Sequence, residues 1–283
     1  MAWFHASFEA GASEVAAYVA TWGGGRSLDC ADLFSASKKV ADVWKSVGYE
    51  AASADIVNPQ KNFDVISREG FFNTLDLCLA VKQGGFALAG PPCSLFVFLS
   101  SSTHRRTAQN PDGDTSHFKV RMANAIAKNC CALLRTLAGR QVLVMLEQPT
   151  NSMMFKLGCI ARWMEEDRSL FVVHTYLGAF DHPMIKPTHL LTSMNSAVLL
   201  KRQKSKAQSS VQSIEPLAGP LPARATENPW ARPQRTCGPF LRNTPSGPSG
   251  TRQLHMSAEC TTEFVWAVLC AWERERGRMD SAA

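Results

Sequence analysis

The chain has 283 residues, of which 45% are hydrophobic and 19% are charged, and this length suffices for one large domain or one domain with an appendage. Its nine cysteines are scattered with no Cys-x-x-Cys pair, which argues against a disulfide framework or a zinc module and favours a reduced, intracellular protein. We expect neither a signal peptide nor a membrane span, since no apolar run approaches the ~20 residues that cross a bilayer.

The net charge of +6 is unevenly distributed along the chain. Residues 186–256 hold ten lysines and arginines against Glu215 and Glu227, a net +8, so the rest of the chain carries −2. A basic segment of this kind suits a polyanionic partner. A basic tail without a specific ligand has the same composition, so both interpretations stay open.

Predicted helices and strands alternate through most of the chain. A short helical pattern at 14–22 comes first, and the apolar spacing then predicts strands at 28–34, 51–56, 86–89, 142–146 and 171–176, with helices at 38–47, 70–83 and 118–137. Strands that alternate with helices of this length indicate βαβ units. We therefore predict an α/β fold with a Rossmann-like, doubly wound, mostly parallel sheet and a basic, loop-rich C-terminal region.

Composition divides the chain into four predicted segments. Residues 1–26 read as an N-terminal extension, 27–200 as the Rossmann-like domain, and 201–252 as a basic linker rich in Pro and Ser. Residues 253–283 contain a last predicted helix, 258–276, whose apolar stripe is best explained as a face that docks onto the sheet.

The most informative segment is Gly90-Pro91-Pro92-Cys93-Ser94, which follows a short apolar run. Two prolines fix φ and stiffen the turn, so the thiol is held at the end of a predicted parallel strand, where open α/β sheets bind ligands. Cys93 is therefore a candidate nucleophile. A buried structural cysteine in a loop is the alternative, because free cysteines usually behave as small apolar residues.

Three carboxylates occupy comparable positions at predicted strand ends: Asp32, Asp55 and Glu147. Sheet topology would bring such residues to one edge together with Cys93. Asp55 follows the first strand by about twenty residues, a spacing typical of a carboxylate that binds ribose hydroxyls. A helix cap or turn is the alternative role for Asp55.

The order of these residues resembles the DNA cytosine-5 methyltransferases. The resemblance rests on Asp32-Leu33-Phe34, Asp55, Pro91-Pro92-Cys93 and Leu146-Glu147-Gln148-Pro149, which correspond in order to the family's Asp-Leu-Phe motif, acidic second-strand end, Pro-Pro-Cys nucleophile and Glu-Asn-Val motif. Residues 180–188 stand where the family has Pro-Gln-x-Arg-x-Arg, with Lys186 and Thr188 at the arginine positions. The resemblance covers residues 28–192.

The resemblance implies a reaction in which a cysteine thiolate adds to carbon 6 of cytosine and makes carbon 5 nucleophilic. Cys93 would be that thiolate, Glu147 would hold N3 and the exocyclic amine of the base, and Lys186 would complete the catalytic set. The methyl donor would be S-adenosylmethionine. The target base would have to leave a duplex or already be single-stranded.

The same resemblance assigns the cofactor contacts. The adenosyl group would lie across Phe34, with Asp55 on the ribose and Asp64 near the adenine. Ser35 falls in the stretch where the family has a glycine-rich loop. The resemblance implies no metal ligand. The cofactor-binding residues that it implies are Asp32, Phe34, Ser35, Asp55, Ile56, Asp64 and Pro91.

The expected partner is nucleic acid, with DNA preferred over RNA. Arg105 and Arg106 follow Cys93 and are either phosphate contacts or solvated loop residues. The run at 201–206 fits nonselective phosphate binding or nuclear import. Two alternatives stay open: a catalytically inactive protein that keeps the methyltransferase scaffold for binding, and a Rossmann methyltransferase for small molecules or proteins in which Cys93 is structural.

Overall fold

The computed structural model describes residues 7–58, 60–182, 184–202, 241–244, 247–250 and 260–282. Six strands form the main sheet: β1 (Leu28–Leu33), β2 (Ala51–Ala54), β3 (Val81–Ala89), β4 (Leu143–Pro149), β5 (Phe171–Tyr176) and β6 (Pro187–Thr192). The helices are α1 (Ala12–Thr21), α2 (Lys39–Ser46), α3 (Arg68–Leu79), α4 (Ser101–His104), α5 (Phe118–Gly139), α6 (Gly158–Glu166) and α7 (Thr262–Ala282). A separate hairpin joins β7 (Leu241–Thr244) to β8 (Gly247–Gly250).

The main sheet is mixed, with the strand order β2-β1-β3-β4-β6-β5. Strands β1 to β4 pair in parallel, whereas β6 runs antiparallel to both of its neighbours, β4 and β5. This α/β architecture is compatible with the predicted Rossmann-like fold. Strand order reverses between β1 and β3, the kind of point at which open α/β sheets bind ligands beyond the carboxyl ends of their strands.

Two apolar clusters cover the two faces of the sheet. Helices α3, α5 and α6 bury one face, where residues such as Phe71, Leu133 and Leu146 have almost no exposed surface. Helices α2 and α7 bury the other, around Trp44 and Trp272. Because helices cover both faces, consecutive residues of β1 such as Cys30 and Ala31 are both buried, although they point to opposite sides of the sheet.

Helix α7 packs on the sheet through one apolar face. Its apolar stripe is buried on the α2 side of the sheet, and consists of Phe264, Val265, Val268, Leu269 and Trp272. The indole of Trp272 also donates a hydrogen bond to the carbonyl of Gly84 at 3.0 Å. The last helix is therefore part of the core, although it follows the segment of lowest periodicity.

The predicted helix at 70–83 is wrong at its C-terminal end. Helix α3 ends at Leu79, and Val81 already begins β3. Gly84 and Gly85, which directly follow the predicted helix, lie inside that strand, where the register shifts against β1. A Cβ on Gly85 would lie 3.0 Å from the carbonyl oxygen of Asp29 and closer still to Val81, so the close approach of two strands explains this glycine.

Strand β6 was missed by the sequence prediction because its residues match no regular apolar alternation. Strand β4 is also longer than predicted and continues to Pro149, so Glu147 lies inside it. The predicted basic linker lies mostly outside the described residues, as does the basic run at 201–206 beyond Arg202. The four-segment division of the chain stays a prediction.

Helix α1 packs on the α3–α5 side through Val15 and Tyr18, and the Tyr18 hydroxyl donates to Asp76 at 2.7 Å. The side chain of Asn129 on α5 is buried and fixes the segment that precedes α1: it accepts a hydrogen bond from Ala10 N and donates one to the Phe8 carbonyl.

Among the described residues, no helix combines the length and apolar character that a bilayer crossing requires.

Replacing Trp272 with Ala should lower the free energy of unfolding by about 3–5 kcal/mol, because it leaves a cavity between α7 and the sheet. Trp266 on the same helix is 39% exposed, so Trp266→Ala is the matched control and should change stability by only about 0.5 kcal/mol. Urea denaturation followed by circular dichroism measures both. Equal losses in the two variants would contradict the docking of α7 through Trp272.

Candidate active site

The ends of β1, β2 and β3 meet where the strand order reverses. Phe34 follows β1 and donates from its backbone N–H to the carbonyl of Ala54 at 2.8 Å, and Gly90 donates to the carbonyl of Leu33 at 3.2 Å. Asp55 directly follows Ala54. These bonds hold the three segments that carry most of the predicted cofactor residues at one edge of the sheet.

Cys93 lies in a tight turn beyond β3. Its carbonyl accepts a hydrogen bond from Phe96 N at 2.8 Å, and the Phe96 carbonyl accepts one from Met153 N at 2.8 Å. Pro91 is buried, whereas Cys93 keeps intermediate exposure. The thiol is thus held on a turn that is fixed at both ends and is still accessible.

Glu147 and Lys186 form a buried ion pair beside this turn. Glu147 Oε1 lies 3.4 Å from Lys186 Nζ, and the two side chains are 8% and 13% exposed. Apart from this pairing, Glu147 Oε1 has no hydrogen-bond partner within the described part of the chain. A buried carboxylate oxygen with unused acceptor capacity can receive a hydrogen bond from a ligand.

Lys186 is directed into the site by a constrained backbone. Its φ is +35°, in the left-handed region that non-glycine residues seldom adopt. The preceding loop lies so close to Gly178 that a Cβ there would be 2.9 Å from the Cα of Ile185. Thr188, at the second arginine position of the family motif, is fully buried and donates to the Lys186 carbonyl at 3.0 Å.

The pKa values link the thiol to the ion pair. Burial raises the pKa of Cys93 above its ordinary value, the carboxylate of Glu147 raises it further, and Lys186 opposes both effects. Burial alone would lower the pKa of Lys186, but Glu147 and the nearby thiols outweigh it, so the net shift is upward. The three groups predicted to be catalytic therefore share one electrostatic environment, with Lys186 charged and the Cys93 thiol favoured over the thiolate.

Gln148 is a structural partner of the site that the sequence analysis did not assign. It is fully buried, donates from Nε2 to the Pro91 carbonyl at 2.7 Å, and accepts from Ser152 Oγ at 2.8 Å. It thereby ties the Cys93 turn to β4. The alternation of faces along a strand puts Gln148 and Glu147 on opposite sides of the sheet, so one residue holds the turn while the other faces the ion pair.

Cys260, just before α7, was also missed. Burial raises its pKa to about 12, and the carboxylate of Glu147 contributes to the shift. Its carbonyl accepts a hydrogen bond from Lys39 Nζ at 3.2 Å, which links the start of α2 to the start of α7. Nothing in the sequence around Cys260 indicates this position, because the contact depends on how α7 docks.

Asp32 lies within β1 and not beyond its end. It is 2% exposed, and its Oδ2 accepts from Ala41 N at 3.3 Å, so it contacts α2. Burial is the main reason that its pKa is raised to about 8. The predicted cofactor role of Asp32 stays a prediction.

The remaining predicted cofactor residues lie along the turn after β1 and the segment after β2. Phe34 is half-buried with φ +59°, and Ser35 Oγ is buried without a hydrogen-bond partner in the described part of the chain. Lys38 has a left-handed φ of +56° and an exposed side chain. The turn after β1 thus has two non-glycine residues, Phe34 and Lys38, in the left-handed region that glycine adopts most easily.

Asp55 accepts hydrogen bonds from Ala36 N and Val57 N, both at 3.0 Å. A carboxylate has about four acceptor positions, so two remain for ribose hydroxyls. The next residue, Ile56, is 67% exposed, which is suitable for contact with a flat apolar ring.

Asp64 is half-buried in a loop that rests on α3. Its Oδ1 accepts from Ile66 N at 3.2 Å. A Cβ on Gly70 would lie 2.2 Å from the Asp64 carbonyl oxygen, so this glycine permits the close approach.

The two arginines after Cys93 have different roles. The Arg105 side chain is 74% exposed and lies 3.6 Å from an Asp114 oxygen. Arg106 is buried, donates to the Leu95 carbonyl at 2.8 Å and stacks on Phe96 with its guanidinium carbon 4.1 Å from the ring centre. Arg106 is therefore neither a solvated loop residue nor an exposed phosphate contact: it stabilises the loop from inside.

Comparison with protein-family models and with curated proteins gives no match for this chain.

Replacing Gln148 with Ala should lower the free energy of unfolding by about 1–3 kcal/mol, because the buried Pro91 carbonyl loses its donor. It should also speed alkylation of Cys93 by iodoacetamide, measured by mass spectrometry of the Cys93 peptide, since the turn is released from β4. Gln60→Ala, at an exposed glutamine, is the control. Unchanged stability and an unchanged alkylation rate would contradict the role of Gln148.

Replacing Lys186 with Met should destabilise the protein by about 3–5 kcal/mol at pH 8, because it leaves the Glu147 carboxylate buried without a cation. Burial of an unpaired carboxylate favours its protonated form, so the deficit should shrink as the solution is made acidic. Adding Glu147→Gln to the Lys186→Met variant should restore part of the lost stability.

Lys82→Met is the matched control for that measurement, because Lys82 pairs with Asp29 at 3.0 Å while its side chain is 44% exposed. It should cost at most about 1 kcal/mol. Denaturation curves at pH 5 and pH 8 supply the comparison. A deficit for Lys186→Met that is small and equal at both pH values would show that the ion pair is not buried.

Proposed function

We propose that this chain is an S-adenosylmethionine-dependent methyltransferase of the cytosine-5 type, acting on DNA or RNA through a covalent adduct of Cys93. The single observation that carries the proposal is the convergence of Cys93 with the buried Glu147–Lys186 pair. From Cys93 to Lys186 these residues span more than ninety positions of the chain, and the resemblance assigns catalytic roles to all three.

The residues around β1 and β2 fit the proposed cofactor. Asp55 has acceptor positions left for the ribose hydroxyls, Ile56 offers an exposed apolar side chain to the adenine, and Ser35 Oγ has no other partner among the described residues. Phe34, Asp64 and Pro91 belong to the same proposed set. When bound, S-adenosylmethionine would supply a methyl group to carbon 5 of the base.

The proposed chemistry assigns one task to each residue of the triad. The Cys93 thiolate forms a bond to carbon 6 of cytosine, and the electron pair of the C5–C6 bond becomes available at carbon 5. Glu147 takes up a proton from solvent as the base binds, donates it to N3 and accepts a hydrogen bond from the exocyclic amine, which stabilises the added state. Lys186 keeps its positive charge and favours the thiolate. Once carbon 5 has bonded to the methyl group, a solvent water takes the carbon 5 proton, and the electron pair of that C–H bond reforms the C5–C6 double bond and expels the Cys93 thiolate.

The apo protein does not favour the thiolate, since the pKa of Cys93 is raised by burial and by Glu147. A substrate that draws the Glu147 carboxylate into hydrogen bonds would reduce its effect on the thiol. The reaction rate should therefore increase with pH from neutral to mildly alkaline conditions.

The alternative proposal is a non-catalytic scaffold that keeps the fold for binding. It is favoured by the contacts of Asp55, whose two oxygens already accept backbone N–H groups from Ala36 and Val57. The family has a glycine-rich loop after its first strand, and glycines let a cofactor approach the backbone closely. This chain has Ser35, Ala36 and Ser37 in that stretch. On this account the protein binds no S-adenosylmethionine.

Two measurements on the intact chain separate the proposals. Calorimetry should show saturable S-adenosylmethionine binding that Asp55→Ala weakens at least about tenfold, as expected for loss of a charge-assisted contact. Asp167→Ala, at the opposite edge of the sheet, is the control. Absence of binding to the wild-type protein would favour the scaffold.

The second measurement tests catalysis directly. With labelled S-adenosylmethionine, the wild-type protein should methylate cytosine in DNA or RNA, and Cys93→Ser should reduce incorporation to background. Oligonucleotides that carry 5-fluorocytosine should trap a Cys93 adduct, because fluorine cannot leave carbon 5 as a proton does. Cys270→Ser, at an exposed thiol, should retain activity. Incorporation that Cys93→Ser leaves unchanged would contradict the thiolate mechanism.

A further inference from the structure

Two cysteines from different helices meet on the sheet face that α3, α5 and α6 cover. Cys131 lies in the middle of α5, and Cys159 lies in the first turn of α6. Cys131 Sγ donates to the Cys159 carbonyl oxygen at 3.4 Å and is close enough to the Cys159 sulfur to hydrogen-bond with it as well. Packing of the two helices thus brings together thiols that are 28 positions apart in the chain.

The two thiols differ in their access to solvent. Cys131 is 3% exposed, whereas Cys159 is half-buried and reaches the surface. Cys159 is the second residue of a nine-residue helix, and the backbone N–H groups of Cys159 and Ile160 hydrogen-bond to its sulfur. Lys128, one turn before Cys131 on α5, adds a positive charge nearby. An accessible sulfur at a helix N-terminus and beside a cation ionises readily.

The pKa values of the two thiols are shifted in opposite directions. The hydrogen bond from Cys131 is the main cause that lowers the pKa of Cys159, and the backbone N–H groups and Lys128 act in the same direction against burial. The same hydrogen bond, together with burial, raises the pKa of Cys131. All other cysteines that the structure describes have raised pKa values. One thiol of the pair therefore ionises easily while its neighbour keeps its proton.

We propose that Cys159 and Cys131 form a peroxide-sensitive thiol pair, in which a hydroperoxide oxidises Cys159 and Cys131 converts the product to a disulfide. The Cys159 thiolate bonds to one oxygen of the peroxide, the O–O bond breaks, and the departing oxygen takes up a proton from solvent and leaves as water or an alcohol. Cys159 is then a sulfenic acid.

The second step joins the two helices. The Cys131 sulfur bonds to the Cys159 sulfur, the S–O bond breaks, and the Cys131 proton leaves with the hydroxyl group as water. The two thiols together lose two electrons, which the peroxide gains. A pair that already lies within hydrogen-bonding distance needs little movement to form this bond.

The disulfide would fix α6 against α5, and α6 begins directly after a segment that contacts the Cys93 turn. In that segment Met153 N donates to the Phe96 carbonyl at 2.8 Å. Disulfides in reducing compartments are usually transient or redox-sensing, which fits the reduced protein that the cysteine pattern predicts. The inference is independent of the proposed methyl transfer.

The first test maps the disulfide. The reduced, intact chain is treated with a small excess of hydrogen peroxide, its remaining thiols are blocked with N-ethylmaleimide, and it is digested with trypsin. Mass spectrometry should find peptide 129–135 joined to peptide 157–162, and fragmentation should place the bridge at Cys131. Cys131→Ala and Cys159→Ala should both lose the cross-link, and Cys130→Ala, at the buried neighbouring thiol, should keep it. Absence of the cross-link, or a bridge through Cys130, would overturn the proposal.

The second test identifies which thiol the peroxide attacks. Dimedone, which traps sulfenic acids, should label Cys159 in Cys131→Ala at least about threefold more than in the wild type, because the resolving thiol is gone. Label on Cys159 that Cys131→Ala does not increase would contradict the assigned roles.

If the variants fail to fold, the wild-type chain supplies the comparison. The rate of alkylation of Cys159 by iodoacetamide, relative to that of exposed Cys270, should be greatest at neutral pH and fall toward pH 9. The reason is that the thiol with the lower pKa is the more ionised of the two only while the other is still protonated. A ratio that does not change with pH would contradict the proposal.

Discussion

The buried pairing of Glu147 with Lys186 is the interaction on which the site depends. A carboxylate and an ammonium group that are both nearly excluded from solvent stabilise a protein only when each compensates the other. The pair also determines the chemistry of Cys93, because the carboxylate raises the pKa of the thiol while the ammonium group lowers it. Any ligand that engages Glu147 changes this balance.

The fold brings these groups together from three strands that are far apart in sequence. Parallel pairing of β3 with β4 places the Cys93 turn next to Glu147, and the antiparallel strand β6 returns Lys186 to the same edge. Gln148 and Arg106 hold the Cys93 turn by donating hydrogen bonds to the Pro91 carbonyl and the Leu95 carbonyl, respectively. Rigid support of this kind is what the proposed role of Cys93 as a nucleophile would require.

Much of this arrangement could be predicted from the sequence. The long amphipathic helix α5, the strands β1 and β5 and the buried stripe of α7 follow from periodicity, which is a local property. The motif order also pointed to Cys93, Glu147 and Lys186 as one group.

Other features could not be predicted because they depend on tertiary contacts. The end of α3 was misplaced because two glycines after an apolar helical pattern resemble a helix stop, whereas Gly84 has a φ of +72° and Gly85 serves a close approach between strands. Buried Gln148 and Cys260 have no local signal, because the first acts through the Pro91 carbonyl and the second through the docking of α7. The burial of Arg106 was hidden for the same reason.

The most direct measurement of the central claim is the pKa of Cys93 itself, followed through the ultraviolet absorption of its thiolate in wild type, Glu147→Gln and Lys186→Gln, with Cys93→Ser as the blank. The account predicts opposite shifts: a lower pKa when the carboxylate is neutralised and a higher one when the cation is removed. If the pKa of Cys93 is the same in all three proteins, the thiol and the ion pair do not share a site, and the account is wrong.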